Sequence, residues 1–193
     1  MQKTKMRRLV FIFLPLAIIS SVLLMTQRGT EKTGAGLKAV CAAQAGYAGA
    51  VTVFDGEYPV YKWYSAAGVP LAAEPSPDGV HLAVLCAAQG KSVVHIFSLD
   101  SEDELSSCSF SGELFFGIGW LSDSKLCVLS ENRVCAVSVN GKKRGEFDFG
   151  GLSLAEYEIY DGGIGLYLRG FESGGEQRLV SLDSDLLKTD RDQ

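Results

Sequence analysis

Cys41-Ala42-Ala43-Gln44 returns unchanged as Cys86-Ala87-Ala88-Gln89, 45 residues further along the chain. Ser98-Leu99-Asp100-Ser101 returns as Ser181-Leu182-Asp183-Ser184 after 83 residues, close to two such periods, with Ser138-Val139-Asn140-Gly141 between them. One turn position is thereby marked by Asp55-Gly56, Asp100-Ser101, Asn140-Gly141 and Asp183-Ser184, at spacings of 45, 40 and 43. A second is marked by Asp78-Gly79, Asp123-Ser124 and Asp161-Gly162, at spacings of 45 and 38. Asp and Asn side chains bond to their own backbone and Gly supplies positive φ, so these pairs suit tight β-turns.

Between the marks lie short runs rich in Val, Leu, Ile, Phe and Tyr: His81 to Cys86, Ser92 to Leu99, Lys125 to Leu129, Val134 to Val139, Gly165 to Leu168 and Arg178 to Leu182. They are too short for helices and are bounded by turn residues, which makes them strands. Beyond an apolar run near the N-terminus there is no helical periodicity. A period of about 40 residues with four strands in each repeat is the signature of a propeller blade. The fold class expected is all-β: a propeller-like repeat of four-stranded antiparallel blades, about 3.5 to 4 of them, over residues 37–193.

The wording of the repeats agrees. Ser76-Pro77-Asp78-Gly79-Val80-His81-Leu82-Ala83-Val84 resembles the S-P-D-G-x-x-L-A-x pattern of TolB-type and WD-repeat-like bacterial propellers. Trp120-Leu121-Ser122-Asp123-Ser124-Lys125-Leu126 resembles a degenerate second copy. With its basic N-terminus and single apolar segment ahead of the blades, the chain is similar to a family of bacterial single-pass membrane β-propellers of unknown function. The resemblance implies a fold and a topology and carries no catalytic residues to transfer.

The repeats are incomplete at both ends. The N-terminal apolar run stands where the first repeat's innermost strand belongs, and the last repeat ends in a charged tail, Lys188 to Gln193. Propellers close with about 4 to 8 blades. A truncated member of a longer family, an open fan completed by a partner and a compact distorted barrel are three readings of this count. An open fan is expected to expose sheet edges and apolar faces in its terminal repeats, at Val51, Val53, Leu166 and Leu168, and to self-associate through them.

Leu9 to Met25 form an uncharged run of 17 residues. As a helix it spans about 25 Å, the short end of what a bilayer core requires. Pro15 lies inside it, which a membrane helix tolerates. Lys3, Lys5, Arg7 and Arg8 precede the run, which predicts a cytoplasmic N-terminus at residues 1–8, a signal anchor at 9–25, a linker at 26–36 and an extracytoplasmic domain beyond. A cleaved signal peptide fits the same charged and apolar regions, but Thr26-Gln27-Arg28 follows the run in place of a small-x-small site. Removing the five cations that precede Glu31 leaves 13 basic against 23 acidic residues, a net charge of −10. So acidic a domain is repelled by phosphate backbones, so nucleic acid is not an expected partner.

Candidate chemistry is sparse. Five cysteines, Cys41, Cys86, Cys108, Cys127 and Cys135, make an odd count without a C-x-x-C pair, which is neither a disulfide framework nor a zinc set. Cys41, Cys86 and Cys127 read as small core residues at equivalent blade positions, and Cys127 and Cys135 flank a hairpin turn where a cross-strand disulfide is conceivable. His81 and His95 stand without a nucleophile elbow and read as structural. The acidic stretch Asp100-Ser101-Glu102-Asp103-Glu104 reads as a solvated turn because it lacks the glycine and spacing of a calcium loop. Gly34/Gly36 and Gly117/Gly119 lack the Lys-Ser/Thr and the helix of a phosphate loop. Trp63, Tyr61, Tyr64, Trp120, Phe115 and Phe116 read as blade-packing aromatics.

No catalytic, cofactor-binding or metal-ligating residue is expected, and no cofactor. The function expected is a membrane-anchored extracytoplasmic binding or scaffold module with a protein or cell-envelope partner. Alternatives are a truncated or partner-completed propeller with little function of its own, and an exported propeller hydrolase or lyase.

Overall fold

The computed structural model describes residues 36–170 and 177–189, within a compact unit that spans 31–193. The cytoplasmic segment 1–8, the anchor 9–25 and nearly all of the linker 26–36 lie outside the described residues. Among the described residues no helix is long and apolar enough to cross a membrane.

Among the described residues fourteen strands make four antiparallel sheets, which form propeller-like blades in chain order. Blade 1 holds β1 (Leu37–Ala42), β2 (Gly49–Asp55) and β3 (Tyr58–Ser65). Blade 2 holds β4 (Val69–Pro75), β5 (His81–Ala88), β6 (Lys91–Ser98) and β7 (Glu104–Ser111). Blade 3 holds β8 (Phe115–Ser122), β9 (Lys125–Ser130), β10 (Arg133–Ser138) and β11 (Lys143–Asp148). Blade 4 holds β12 (Ser153–Tyr160), β13 (Gly163–Arg169) and β14 (Gln177–Asp183). Each blade is a meander of sequence neighbours, the local pairing that short turns favour. The strands that open blades 2, 3 and 4 adjoin one another in order, β4 against β8 and β8 against β12. In blade 1 the strand beside β4 is β1, which by the repeat is a second strand.

The turn marks act as their chemistry predicts. Gly56, Gly79, Gly141 and Gly162 all take positive φ, between 59° and 79°, where a Cβ would be strained. At the Ser-Pro-Asp-Gly turn the Ser76 hydroxyl donates to Asp78 Oδ1 and accepts from His81 N at 2.8 Å. Asp78 Oδ1 also accepts from Val80 N at 3.1 Å, and Gly79 N donates to Ser76 O at 2.9 Å. Two short side chains thus occupy backbone donors that a four-residue reversal leaves unpaired.

Three layers of apolar side chains lie between successive blades. Val51, Val53 and Tyr61 of blade 1 meet Leu82, Val84, Cys86 and Phe97 of blade 2. Ala83, Leu85, Val94 and Ile96 of blade 2 meet Ile118, Trp120, Leu126 and Val128 of blade 3. Leu121, Cys127, Leu129 and Val134 of blade 3 meet Ile164, Leu166, Leu168 and Val180 of blade 4. Interior blades are therefore apolar on both faces, and β5, β9 and β10 read as nearly continuous buried runs.

One expectation is overturned here. Val51, Val53, Leu166 and Leu168 do not face outward; all four are buried against the neighbouring blade. Strand side chains alternate, so each terminal blade has one covered face and one open face. The apolar set takes the covered one.

Candidate binding face

In an antiparallel blade the turn after the first strand and the turn after the third emerge at the same edge. Both sets of Asp-marked turns occupy these two positions. In blade 2, Leu99 N donates to Val80 O at 2.8 Å, joining the two turns directly. In blade 3, Val139 N does the same to Ser124 O at 3.1 Å.

Contacts between blades align these edges. Ser106 Oγ at the base of the blade 2 turn donates to Val139 O of the blade 3 turn at 2.7 Å. Gly162 N of blade 4 donates to Leu121 O of blade 3 at 3.3 Å, and Lys125 of blade 3 pairs with Asp185 of blade 4. Tyr61, just past the blade 1 turn, has its phenol pKa raised by burial first and then by Glu102 and Glu104 of the blade 2 turn. Asp55, Asp78, Asp100, Asp123, Asp161 and Asp183, drawn from all four blades, consequently lie along one edge of the assembly, with Glu57, Glu102, Asp103 and Asp185 beside them.

Cations also stand at that edge: Lys38 beside the Asp55 turn, Lys142, Lys143 and Arg144 after the Asn140-Gly141 turn, Lys188 beside Leu182, and Lys125, which is paired with Asp185. Tyr58 stands among the carboxylates with 78% of its surface exposed. The turn role of several acids is visible: Asp183 Oδ1 accepts from Asp185 N at 2.8 Å and Leu187 N at 2.9 Å. Burial alone would raise the Asp78 carboxyl, but hydrogen bonds from Ser76 and Val80, with His81 nearby, lower it below its ordinary value. Asp78 stays ionised because its turn donates to it.

A second group of titratable side chains lies where the blades' first strands adjoin. Burial pushes the Glu74 carboxyl of β4 up to about 7. Burial, then the Cys127 thiol and Glu74, raise the Tyr157 phenol of β12 to about 12. Burial, then Cys86 and Glu74, raise the Cys41 thiol to about 12. Trp120 Nε1 on β8 donates to the Glu74 carbonyl at 2.9 Å and ties the two strands. Gly117 and Gly119 of β8 prove to be spacers: a Cβ at Gly117 would stand 3.2 Å from the Tyr157 hydroxyl, and one at Gly119 would overlap Ile159. Glu74 was not singled out from sequence, although one acid inside Leu71-Ala72-Ala73-Glu74-Pro75 was the available signal.

Cys41 and Cys86, read as equivalent, face opposite ways. Cys41 points from blade 1 toward blade 2 and Cys86 from blade 2 toward blade 1, so both enter the same layer. Cys127 and Cys135 do not meet across their hairpin. Cys127 pairs in register with Ala136 and faces blade 4, while Cys135 pairs with Val128 and faces blade 2. All five thiols are free, and burial pushes Cys86, Cys127 and Cys135 to about 12, which leaves them unreactive at neutral pH.

The histidines are likewise separated. His95 lies against Trp63 of blade 1, ring centroids 5.6 Å apart, and its Nδ1 meets Glu104 at 2.9 Å. His81 lies against Trp120 of blade 3 at 6.1 Å, with its Nδ1 buried and without a hydrogen-bond partner. They flank opposite faces of blade 2. Among the described residues no group of three His, Cys, Asp or Glu side chains is placed to hold a metal ion.

No described protein family matches the chain, and no curated protein matches it. Solved structures do. Sqt1 from Chaetomium thermophilum is 12% identical with a TM-score of 0.54, over 79% of this chain and 42% of that one. A chain of a mitotic checkpoint complex is 12% identical with a TM-score of 0.55, over 76% of this chain and 49% of that one. Kuenenia stuttgartiensis hydrazine synthase is 17% identical with a TM-score of 0.54, over 69% of this chain and 40% of that one. The first two are propellers of the WD40 type, and the likeness establishes a propeller-like fold. The chain spans less than half the length of each of these three. An enzyme stands among them, so the fold alone does not separate catalysis from binding.

Proposed function

We propose that this chain is a non-enzymatic binding or scaffold module, held by residues 9–25 at the outer face of the cytoplasmic membrane, whose acidic turn edge docks a protein partner carrying basic side chains. One observation carries the reading: carboxylates from all four blades line one edge, with exposed Tyr58 among them. The hydrogen bonds that join the turns within and between blades hold these groups on a rigid frame, which lowers the ordering cost of binding. Complementary charge speeds encounter and selects the partner, and tyrosine is a frequent interface anchor. The separation of His81 from His95 and the inert thiols favour this reading over an exported hydrolase or lyase.

Photo-crosslinking side chains placed in the full-length protein at Asp100 or Asp123 test it. A discrete protein adduct is expected from each, lost from the Asp100 probe when Asp55 and Asp123 become Lys and from the Asp123 probe when Asp55 and Asp100 become Lys, and absent from positions Gln89 and Asn132 at the opposite edge. Equal adducts from both edges would remove the acidic edge from consideration. A reporter fused after Gln193 is expected to be active only outside the cytoplasm.

A further inference from the structure

The outermost described strand of blades 1, 2 and 3 carries a β-bulge at the same place, just past an Asp- or Asn-marked turn. Val60 on β3 is left out between the pairs Phe54↔Pro59 and Val53↔Tyr61. Leu105 on β7 is left out between Phe97↔Glu104 and Ile96↔Ser106, and Arg144 on β11 between Val137↔Lys143 and Ala136↔Gly145. A bulge bends its strand and re-aims the extra side chain. Val60 and Leu105 are 52% and 50% exposed, and Arg144 is exposed. Bulged edges also resist pairing with a foreign strand, so a partner is engaged there through side chains. Blades 2 and 3 have a described blade on either side, and they give this corner opposite characters. Asp100, Glu102, Asp103 and Glu104 precede Leu105, whereas Lys142 and Lys143 precede Arg144. The two corners are fixed side by side: Ser106 Oγ donates to Val139 O at 2.7 Å, and a Cβ at Gly141 would stand 2.7 Å from the Ser107 carbonyl. Lys143 Nζ lies over the Phe110 ring of blade 2 at 4.3 Å, and Arg144 Nε donates to Ser138 Oγ at 3.2 Å. Glu102, Asp103, Lys142, Lys143 and Arg144 nevertheless form no ion pair with a described residue.

We propose that this corner seats a protein segment of fixed charge order: basic residues against Glu102, Asp103 and Glu104, an apolar side chain on Leu105, and a carboxylate on Arg144. This rests on the acidic-edge reading above and deepens it by naming what the partner carries besides basic charge. Charge complementarity selects that occupant. A wholly basic segment meets like charge at Lys142 and Arg144, and a wholly acidic one meets it at Glu102 and Asp103, so both are rejected. The planar Arg144 fork suits a carboxylate through paired hydrogen bonds, with its stem already held at Nε. Leu105 supplies an apolar contact within a charged rim, the arrangement that interfaces use.

The test is selection of a displayed random-peptide library on the full-length protein in lipid nanodiscs, followed by fluorescence anisotropy with the strongest synthetic peptide. That peptide is expected to carry basic, apolar and acidic residues in this order along its length, in either chain direction. Leu105→Ser and Arg144→Glu are each expected to weaken it about tenfold. Changing the peptide's acidic residue to Lys is expected to restore binding to Arg144→Glu and to weaken binding to the wild type. Such a rescue requires a folded variant, so it separates lost contact from lost structure. A peptide that is basic throughout, weakened by Asp100→Lys but by neither Leu105→Ser nor Arg144→Glu, would overturn this inference and leave the acidic-edge reading standing. A peptide indifferent to Asp100→Lys, or no selected peptide at all, would remove both.

Discussion

Blades 1 and 4 are both three-stranded and both cover one face against an interior neighbour, yet they finish the other face differently. Blade 1 turns Lys38, Val40, Phe54, Lys62 and Tyr64 outward, whereas blade 4 turns Glu156, Glu158, Tyr167, Arg169 and Leu179 outward, with Gly163 and Gly165 on the same face. The covered faces are alike: Val51 and Val53 on one side, Leu166 and Leu168 on the other. Contact with a neighbouring blade demands the same apolar filling everywhere, while the open face is free to carry charge. The two ends are therefore interchangeable as packing units and distinct as surfaces.

The sharpest break between covered and open faces comes from placing a carboxylate on each. Val51→Glu and Leu166→Glu put a charge into a fully buried layer and are expected to cost more than about 4 kcal/mol, enough to abolish a cooperative melt. Val40→Glu and Leu179→Glu, on the open faces, are expected to stay within about 0.5 kcal/mol. Similar losses from all four, by urea titration followed by far-ultraviolet circular dichroism, would end the distinction.

A middle-sized effect tests the joint between interior blades, where Glu74 is raised by burial to about 7. The folded value stands above the unfolded one, so the neutral carboxyl's advantage is full below about 4.5 and is lost as pH rises through about 7. Wild-type stability is expected to fall by roughly 2–3 kcal/mol across that window from this group. Glu74→Gln should flatten the fall, and an unchanged pH profile in the variant would show that Glu74 is hydrated. The opposite edge offers no such joint, because Arg133 there is paired with both Glu113 and Glu146.

The smallest effect separates two glycines of blade 4. A Cβ at Gly163 would stand 2.4 Å from the Leu182 carbonyl, while one at Gly165 would meet nothing closer than Leu179 Cδ1 at 3.7 Å. Gly163→Ala is expected to cost about 2 kcal/mol because backbone must move, and Gly165→Ala to be neutral or to stabilise by about 0.5 kcal/mol. Equal thermal melts for the two variants would mean that β13 and β14 shift apart freely.

The repeat of Asp-Gly and Asp-Ser pairs was legible because turn geometry is local: Asp78 and Asp183 bond within four residues of themselves. Strand positions followed, and His81 to Cys86 and Lys125 to Leu129 fall inside β5 and β9. Glu74 was not legible, since its altered acidity comes from burial between β4 and neighbours on β8 and β12, up to 83 residues away. The equivalence assigned to Cys41 and Cys86 failed for a related reason: a one-residue difference in how a strand sits between its neighbours reverses every side chain.

Turn chemistry, strand length and period are properties of a few adjacent residues, and from them the sequence alone determined an all-β array of four blades with its Asp-marked turns. Which face of β2 or β13 is covered, which thiols share a layer, and whether acids from separate repeats line one edge are relations between segments some forty residues apart. Only the stacking of blade on blade decided those, because alternation divides each strand into two faces without saying which one will meet a neighbour.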